Sequence, residues 1–428
     1  MTPPPRLPDT ALYGLAGETV KYTAPYTEAS GAAILFTFLA SAGTYLGGQP
    51  HMFAGDAIHP ARLWPLIVGP TSNGMKGTSW NVVTRIIEQT DPAFAAAHTA
   101  SGLSTAEGLI EQVRDANGTD PEADGFDEGI TDKRLMVIES EFAAVLGRAR
   151  REGNVLSPVL RDVWDGKRLQ TMTRKVNALT ASGHHISVIG HITPTELIAK
   201  LTDSDMAGGL VNRFLPCWSI RSKKLPDGGG TPPDVLEYLA AGLTRAKDQT
   251  RRYGRMQRTP GANRLWHSFY DELTPDDLTE GPIAWVSARA VPQVIRLSTA
   301  YALLDSAREI DEVHLIASLA CWEYVKATVG YVFGGAIGNP DLGKLMEYVD
   351  GFGIQGVTRT HIAKDLFRNH KTRAQLDALM DALIEMEEYE SAEIPTAGRP
   401  KTVVRRRPPE QSSLWDADGG DGYAAESA

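Results

Sequence analysis

A strand, a glycine-bearing loop and a helix follow one another around residue 70, and this succession constrains the fold more than any other feature of the chain. The apolar run LWPLIVG (63–69) predicts a buried strand, GPTSNGMKGTSW supplies the loop, and NVVTRIIEQ predicts a helix. Two further apolar runs, RLMVIES (134–140) and HISVIGH (185–191), alternate with helical stretches. This alternation predicts an α/β domain with a largely parallel sheet.

The loop contains the groups that bind phosphate. Phosphate binding needs backbone N–H groups at a helix start, a lysine for the β/γ-oxygens and a hydroxyl for Mg²⁺. Gly69 and Gly74 fit the spacing G-x-x-x-x-G-K-[ST]. A methionine holds the lysine position, so Lys76 comes one residue late, and Gly77 moves the hydroxyl to Thr78. A glycine-rich turn that binds nothing is the alternative interpretation.

Acidic residues follow the second apolar run. A P-loop ATPase needs a carboxylate at the end of a neighbouring strand to hold Mg²⁺ and polarise water. RLMVIESEF supplies Glu139 and Glu141, with Ser140 at the position where an aspartate is usual. Glu141 is the candidate base, and Glu139 is the candidate metal ligand in place of the missing aspartate.

The order of the later segments carries a resemblance to a known class. HISVIGHITP ends a predicted strand in His191, GGLVNRFLPCW places Arg213 in an Asn-Arg-Phe context, and VSARAVPQVIRLSTAYALL contains Arg289 and Arg296. This succession resembles the AAA+ ATPases, and its helical lid resembles that of minichromosome-maintenance helicases. The amino-terminal half is also similar to prophage- and plasmid-borne P-loop proteins with LAGETVKYTAPYTEA-like openings and WDG and NRF segments.

The resemblance implies an ATP and Mg²⁺ site with assigned residues. Lys76 would be the phosphate lysine, Thr78 the Mg²⁺ hydroxyl with Ser79 as second choice, and Glu141 the water-activating base. His191 would be sensor 1, Arg213 a finger reaching a neighbour's ATP, and Arg289 sensor 2. The full set of expected nucleotide-binding residues is Gly69, Gly74, Lys76, Gly77, Thr78 and Ser79.

Composition shifts divide the chain into segments. We expect a P-loop core with an amino-terminal helical segment over 1–221, a Gly- and Pro-rich linker over 222–233 and a helical lid over 234–335. Three short helical segments and a strand pair over 341–408 predict a winged helix-turn-helix. The acidic residues 409–428 predict a disordered tail.

Two basic clusters are candidates for DNA contact. The resemblance places WDGKRLQTMTRKVNALTASG where such helicases insert a hairpin into a ring pore, and its basic residues are Lys167, Arg168, Arg174 and Lys175. The carboxy-terminal candidates are Lys371, Arg373, Arg399, Lys401, Arg405 and Arg406. The alternatives are a solvated amphipathic hairpin or helix and a winged helix that binds protein.

Composition limits the setting in which the chain acts. A net charge of −10 at pH 7 argues against nucleic acid coating the whole surface. Two cysteines, Cys217 and Cys321, have no metal-ligand spacing and fit a reducing compartment, so a cytoplasmic protein is expected. The uncharged stretch 29–55 has a dense apolar part too short for a bilayer, which favours a buried helix over a membrane span.

These patterns predict an AAA+-type ATPase that forms a ring, such as a homo-hexamer, and acts on DNA. The expected activity is that of a helicase or translocase in replication of a mobile element, with a primase as a possible partner. The alternative is an ATP-gated DNA-binding initiator or regulator with little turnover. A metal-dependent hydrolase built on the acidic insertion 115–133 is disfavoured, because that segment lacks an ordered framework for a two-metal site.

Overall fold

The computed structural model divides the chain into two compact units, Met1–Gly338 and Asn339–Ala428. The structure describes residues 4–118, 120–122, 124–151, 153–170, 179–201, 209–275, 282–333, 340–384, 389–394 and 401–407. The predicted core and the predicted helical lid thus belong to one unit. The predicted acidic tail lies outside the described residues.

The first unit has nine described strands and a larger set of helices. The strands are β1 (His51–Ala54), β2 (Ala57–Pro60), β3 (Pro65–Val68), β4 (Thr99–Ala100), β5 (Arg134–Glu139), β6 (Leu169–Gln170), β7 (Thr180–Ala181), β8 (His185–Ile192) and β9 (Leu215–Trp218). The helices are α1 (Gly14–Thr23), α2 (Gly31–Leu46), α3 (Lys76–Thr90), α4 (Pro92–Ala97), α5 (Ala106–Glu111), α6 (Phe142–Ala149), α7 (Leu156–Asp165), α8 (Pro194–Lys200), α9 (Pro233–Thr250), α10 (Pro260–Leu273), α11 (Pro282–Ser287), α12 (Ala290–Leu304) and α13 (Glu312–Phe333).

Five parallel strands form the central sheet of this unit, in the order β4-β5-β8-β3-β9. All eight residues of β8 are buried, as expected for a strand with neighbours on both sides and helices on both faces. The α/β class with a parallel sheet, and the three strands predicted from apolar runs, are therefore confirmed.

The order in which successive strands are added to the sheet reverses at β3. From β3 the chain crosses to the far edge, adds β4, β5 and β8 on one side, and then returns to add β9 on the other. Ligands of open parallel sheets bind outside the carboxyl ends of the strands, where the direction of the connections reverses. The loop that follows β3 occupies this position.

The uncharged stretch near the amino terminus forms the buried helix α2, as predicted. Every residue from Ala32 to Leu46 is buried, and the helix contacts α1, α3 and β8. Its apolar residues go all round the helix, which is the pattern of a helix enclosed by its neighbours.

The helices after β9 lie in the stretch expected to be helical, and α12 packs on α13. The predicted linker 222–233 lies against the amino-terminal segment. The Leu225 N–H donates to Glu28 Oε1 at 2.6 Å, and the Gly230 N–H donates to the Tyr26 carbonyl at 3.0 Å. Two antiparallel strand pairs also lie in the described part of this unit, β1 with β2 and β6 with β7.

The second unit combines helices with a small antiparallel sheet. Its elements are α14 (Pro340–Asp350), β10 (Val357–Thr358), α15 (Arg359–His361) with a π-helical turn (Ile362–Leu366), α16 (Arg373–Ile384), β11 (Tyr389–Ile394) and β12 (Lys401–Arg406). The strand order is β10-β12-β11. Val404 of β12 is fully buried, so the sheet closes one side of this unit's core.

Candidate functional site

The loop after β3 runs from Gly69 to Met75, and α3 begins at Lys76. The sequence spacing made this lysine one residue late, yet in the structure it is the first residue of the helix. The extra residue is absorbed by left-handed backbone: φ is +61° at Ser72 and +47° at Met75. Left-handed backbone is unfavourable by roughly 1–2 kcal/mol for a residue with a Cβ atom. The neighbouring strands must therefore hold the loop in this conformation.

Backbone and side-chain hydrogen bonds tie the loop to both neighbouring strands. The Gly69 N–H donates to the Ile192 carbonyl at the end of β8, at 3.2 Å. On the other side, Ser219 Oγ donates to the Gly74 carbonyl at 2.6 Å. Ser219 is fully buried, and sequence reasoning missed it because it comes far along the chain from the loop.

The loop glycines have different structural tasks. A Cβ at Gly69 would lie 2.2 Å from the Ser219 carbonyl oxygen, and one at Gly74 would lie 2.6 Å from the Pro70 oxygen. A Cβ at Gly77 would meet nothing within 4 Å. Gly69 and Gly74 are therefore required by close backbone packing, whereas Gly77, which is exposed, leaves open space beside the first turn of α3.

Lys76 extends back over the loop. Its Nζ donates to the Gly69 carbonyl at 2.6 Å and to the Pro70 carbonyl at 3.2 Å. The side chain is only partly exposed. An ammonium group thus lies close to the start of the loop, and the same residue is the first of α3. An ammonium group and a helix N-terminus both attract anions.

The two candidate hydroxyls differ in availability. Ser79 is fully buried, and its Oγ donates to the Lys76 carbonyl at 2.6 Å. Thr78 is partly exposed in the first turn of α3. The placement therefore favours Thr78 over Ser79 as the group that reaches a ligand in the loop.

His191 lies on β8, directly beside β3, in register with Ile67. Its side chain is buried, and Nε2 has no hydrogen-bond partner among the described residues. Burial and the nearby charge of Lys76 lower the pKa of His191 to about 4. The imidazole is therefore neutral at pH 7, with one ring nitrogen unsatisfied close to the lysine.

The two candidate carboxylates occupy different environments. Glu139 ends β5 in register with Gly190, is buried, and accepts a hydrogen bond from the Leu103 N–H at 2.5 Å. Glu141 lies two residues closer to the carboxyl edge and is exposed at the start of α6. Glu139 thus has a structural partner, while Glu141 lies at the edge where the loop opens.

The predicted arginine finger has partners within the chain. Arg213 is buried, and its guanidinium pairs with both carboxylate oxygens of Asp165, at 3.0 and 3.1 Å. It also donates to the Gly209 carbonyl. A role toward a neighbouring subunit stays a prediction, and it would require this internal pair to open.

Arg213 and Arg289 lie together beside one indole ring. Their guanidinium carbons are 5.4 and 5.5 Å from the centre of the Trp164 ring. Arg213 precedes β9, whereas the loop follows the adjacent parallel strand β3, so Arg213 and the loop lie at opposite ends of paired strands. The four-residue strand separates these ends by about 10 Å or more. The sequence predicted both arginines but gave no indication of this separation.

Two more buried arginines surround the same tryptophan. Arg296 is fully buried with its guanidinium carbon 3.4 Å from the ring centre, and it donates to the carbonyls of Arg62 and Trp164. Arg62 donates to the Val163 and Trp164 carbonyls at the end of α7 and to the His184 carbonyl. Arg62 was missed by sequence reasoning, although an arginine in the apolar context ARLWPLIVG is a signal that could have found it.

The first predicted DNA element is described only in part. β6 and β7 pair antiparallel, while residues 171–178, which include Arg174 and Lys175, lie outside the described residues. Arg168 is exposed. Lys167 is exposed but pairs with Asp162 at 3.0 Å, so part of its charge is already neutralised.

The basic residues of the second unit fall into two groups. Lys371 pairs with Asp341, and Arg405 pairs with Glu390 at 2.8 Å. The exposed residues are Arg373, Lys401 and Arg406. Arg399 lies outside the described residues.

Among the described residues there is no group of three or more His, Cys, Asp or Glu side chains that would hold a metal ion by themselves. Mg²⁺ commonly uses only one or two protein ligands together with substrate phosphates and water. Thr78, with Glu139 or Glu141, fits that kind of site better than a metal site built wholly from protein side chains.

No known protein family matches the chain, and no curated protein matches it significantly in sequence. Within the part of the chain that the structure describes, none of the helices has the length and apolar character needed to cross a membrane.

Proposed function

We propose that the first unit is an ATP-binding core that hydrolyses ATP with Mg²⁺. The observation that carries this proposal is the position of Lys76: it begins a helix at the carboxyl end of β3, where the strand connections reverse, and its ammonium lies over a loop held by Gly69 and Gly74. These are the elements from which proteins build phosphate sites.

The residues present fit Mg²⁺–ATP. Lys76 and the N–H groups at the start of α3 would hold the phosphates, and Thr78 with a carboxylate would face the metal. Mg²⁺–ATP, when bound, supplies the phosphoanhydride bond that is hydrolysed. Glu141, exposed at the same edge, would accept a proton from the attacking water. The neutral His191 would offer its unsatisfied ring nitrogen to the γ-phosphate region or to that water.

We propose that Arg213 and Arg289 complete the site of a neighbouring copy. Both lie by Trp164, at the opposite end of the strands from this chain's own loop, so they are poorly placed for their own nucleotide. A ring, such as a homo-hexamer, would bring this end of one subunit to the loop of the next. Arginine added to a phosphoryl-transfer site contributes about 10³–10⁵ in rate.

The proposed substrate polymer is DNA. Arg168, directly before β6, is exposed, and the second unit, with its helices and three-stranded sheet, is proposed to be a winged helix that exposes Arg373, Lys401 and Arg406. Exposed cations of this kind neutralise backbone phosphates without reading sequence. The proposed activity is that of a cytoplasmic helicase or translocase in the replication of a mobile element, with a primase as a possible partner.

One observation supports the second candidate, an ATP-gated initiator or regulator with little turnover. Arg213 is buried and hydrogen-bonded to both carboxylate oxygens of Asp165. In this conformation its guanidinium does not project toward a neighbouring copy. ATP would then act as a switch that is bound and only slowly hydrolysed.

Steady-state ATP hydrolysis with Mg²⁺, without and with single-stranded or duplex DNA, tests the proposal. We expect DNA-stimulated turnover that is lost in Lys76→Ala and retained in Lys21→Ala, a matched change of an exposed lysine on α1. Turnover unchanged by Lys76→Ala would refute the site. ATP binding that depends on Lys76, with negligible turnover, would support the switch.

Mixing two inactive variants tests action between subunits. Arg213→Ala keeps an intact loop, and Glu141→Gln keeps an intact arginine. If Arg213 serves a neighbour, we expect each variant alone to bind ATP without turnover and the mixture to recover part of the activity. A mixture as inactive as its components would refute action in trans.

The salt dependence of DNA binding tests the second unit. Arg406→Gln removes an exposed cation, while Arg405→Gln removes one that is already paired with Glu390. If the unit contacts DNA through this strand, Arg406→Gln should lower the slope of log K against log salt by about 1. Arg405→Gln should change the slope less. Equal changes of the slope in the two variants would contradict DNA contact through the exposed charge of Arg406.

A further inference from the structure

A second cleft opens at the opposite edge of the sheet from the loop. It has a volume of about 520 Å³ and lies where the amino-terminal ends of β5 and β8 meet the ends of α2, α7 and α9. This volume is within the range of about 300–1,000 Å³ found for small-molecule sites. The cleft is formed entirely by residues of the first unit.

The cleft is positively charged in a protein of net charge −10. Its charged lining residues are Arg62, Lys133, Arg134, Lys247, Arg251, Asp132 and Asp165. Both carboxylates already have partners: Asp132 pairs with Arg134, and Asp165 pairs with Arg213. Lys133 pairs with Asp115, outside the cleft lining. Neither carboxylate of the lining forms an ion pair with Arg62, Lys247 or Arg251, although the charge of Asp165 acts on Arg62 and that of Asp132 on Lys247 from a greater distance.

Three cations of the lining therefore have no carboxylate partner among the described residues. Lys247 donates to the carbonyls of Tyr45 and Leu46, and Arg62 donates only to carbonyls. Cations at helix C-termini commonly neutralise the helix dipole, which accounts for part of this arrangement. It also accounts for the exposed Arg251, which caps the carboxyl end of α9, but not for the buried Nε of Arg62, which has no hydrogen-bond partner among the described residues.

Burial makes these charges unfavourable without an anion. Arg62 is buried, and desolvation lowers its pKa to about 10. Desolvation, with the charge of Arg134, lowers the pKa of Lys247 to about 8. A bound anion would stabilise the charged form of both groups and would accept hydrogen bonds from them.

We propose that this cleft binds a small phosphate-bearing anion, at a site separate from the loop after β3. The phosphate would contact Arg62, Lys247 and Arg251, and the rest of the molecule would fill the volume beside the β1–β2 hairpin, whose Ile58 and Pro60 line the cleft. The size of the cleft favours a free molecule over a polymer. This inference does not rest on the proposed ATPase activity.

Binding of inorganic pyrophosphate to the full chain, measured by calorimetry, tests the proposal. Lys76→Ala is the background, because it removes the proposed phosphate site of the loop. We expect binding in this background, weakened roughly tenfold or more by a further Arg251→Glu, since one charge-assisted contact becomes a repulsion. Arg252→Glu, an equal charge change at the next and also exposed residue, should weaken binding little.

Each remaining outcome either supports or overturns the proposed phosphate site in the cleft. No pyrophosphate binding in the Lys76→Ala background, or equal weakening by Arg251→Glu and Arg252→Glu, would overturn the proposal. A second variant, Lys247→Met, should also weaken binding if the cleft is the site. Displacement of pyrophosphate by a short oligothymidine would overturn the assignment to a small free anion and would instead assign the phosphate contacts to a nucleic-acid strand.

Discussion

The same substitution at two glycines of one loop should have opposite effects on stability. Gly69→Ala would place a Cβ 2.2 Å from the Ser219 carbonyl oxygen, so the two must separate by about 1 Å to reach a tolerable contact. Gly77→Ala would place a Cβ in open space on the first turn of α3. The structure therefore predicts that Gly69→Ala lowers the stability of the unit and that Gly77→Ala does not.

The expected magnitudes follow from the contacts that change. Moving Ser219 away from Gly69 disturbs two hydrogen bonds, Ser219 N–H to the Val68 carbonyl at 2.8 Å and Ser219 Oγ to the Gly74 carbonyl at 2.6 Å. With about 1 kcal/mol for each bond and about 1–3 kcal/mol for overpacking, Gly69→Ala should destabilise the unit by roughly 3–5 kcal/mol. Gly77→Ala should stabilise it by up to about 1 kcal/mol, because alanine is the better helix former.

Urea unfolding of the two variants, with ATP affinity measured in parallel, checks this prediction. We expect a lower unfolding midpoint and weakened ATP binding for Gly69→Ala. We expect an equal or higher midpoint with retained binding for Gly77→Ala. Equal midpoints for the two variants would refute the packing of Gly69 against Ser219, on which the conformation of the whole loop rests.

Three further predictions concern buried titratable groups. His191 has a pKa of about 4 in the folded chain and about 6.5 when unfolded, so the unfolded chain takes up its proton first as pH falls. Stability should decrease by roughly 3 kcal/mol between pH 6.5 and pH 4, and His191→Asn should flatten this slope in urea titrations at several pH values. Asp165→Asn leaves buried Arg213 without its carboxylate and should destabilise by about 3 kcal/mol, whereas Asp162→Asn, a partner of exposed Lys167, should change stability by under about 1 kcal/mol in the same assay. Burial raises the pKa of the Cys321 thiol to about 12, so iodoacetamide should modify it only under unfolding conditions, as mass spectrometry would show.

The elements that sequence reasoning predicted correctly are those with a strong local signal. Strand β8 and helix α2 could be recognised because neither contains Asp, Glu, Lys or Arg, as expected for elements buried on all sides. Their few polar residues, such as Ser187 and Thr37, are themselves buried. Boundaries were less certain. Leu63 and Trp64 were assigned to the first strand, but β3 begins at Pro65, and the two residues are apolar because they are buried beside the strand.

Strand order and the short edge strand were not predictable in the same way. β4 has only two residues and pairs with β5 through Thr99 and Ala100, so it has no periodicity to detect. The position of β3 between β8 and β9 depends on how distant segments pack. Local patterns do not contain that information.

Some features of the candidate site could be predicted from the sequence, and others could not. The residue types around Lys76 were evident from the sequence, but the late lysine looked like a defect, because left-handed backbone at Met75 cannot be inferred from a spacing rule. The choice between Glu139 and Glu141 was also open. Only the folded chain shows that one is buried with a backbone partner and the other is exposed.

The hydrogen bond between Ser219 and Gly74 also has a consequence for the order of events during synthesis. The two residues are 145 positions apart, so a nascent chain carries the loop long before it carries the hydroxyl that holds it. Domains generally fold as units, the amino-terminal ones first, and within this unit the loop conformation has to wait for β9 and Ser219. Helix α3 can form early, whereas β3 pairs with the later strands β8 and β9. The proposed nucleotide site is therefore completed only after about half of the protein has left the ribosome.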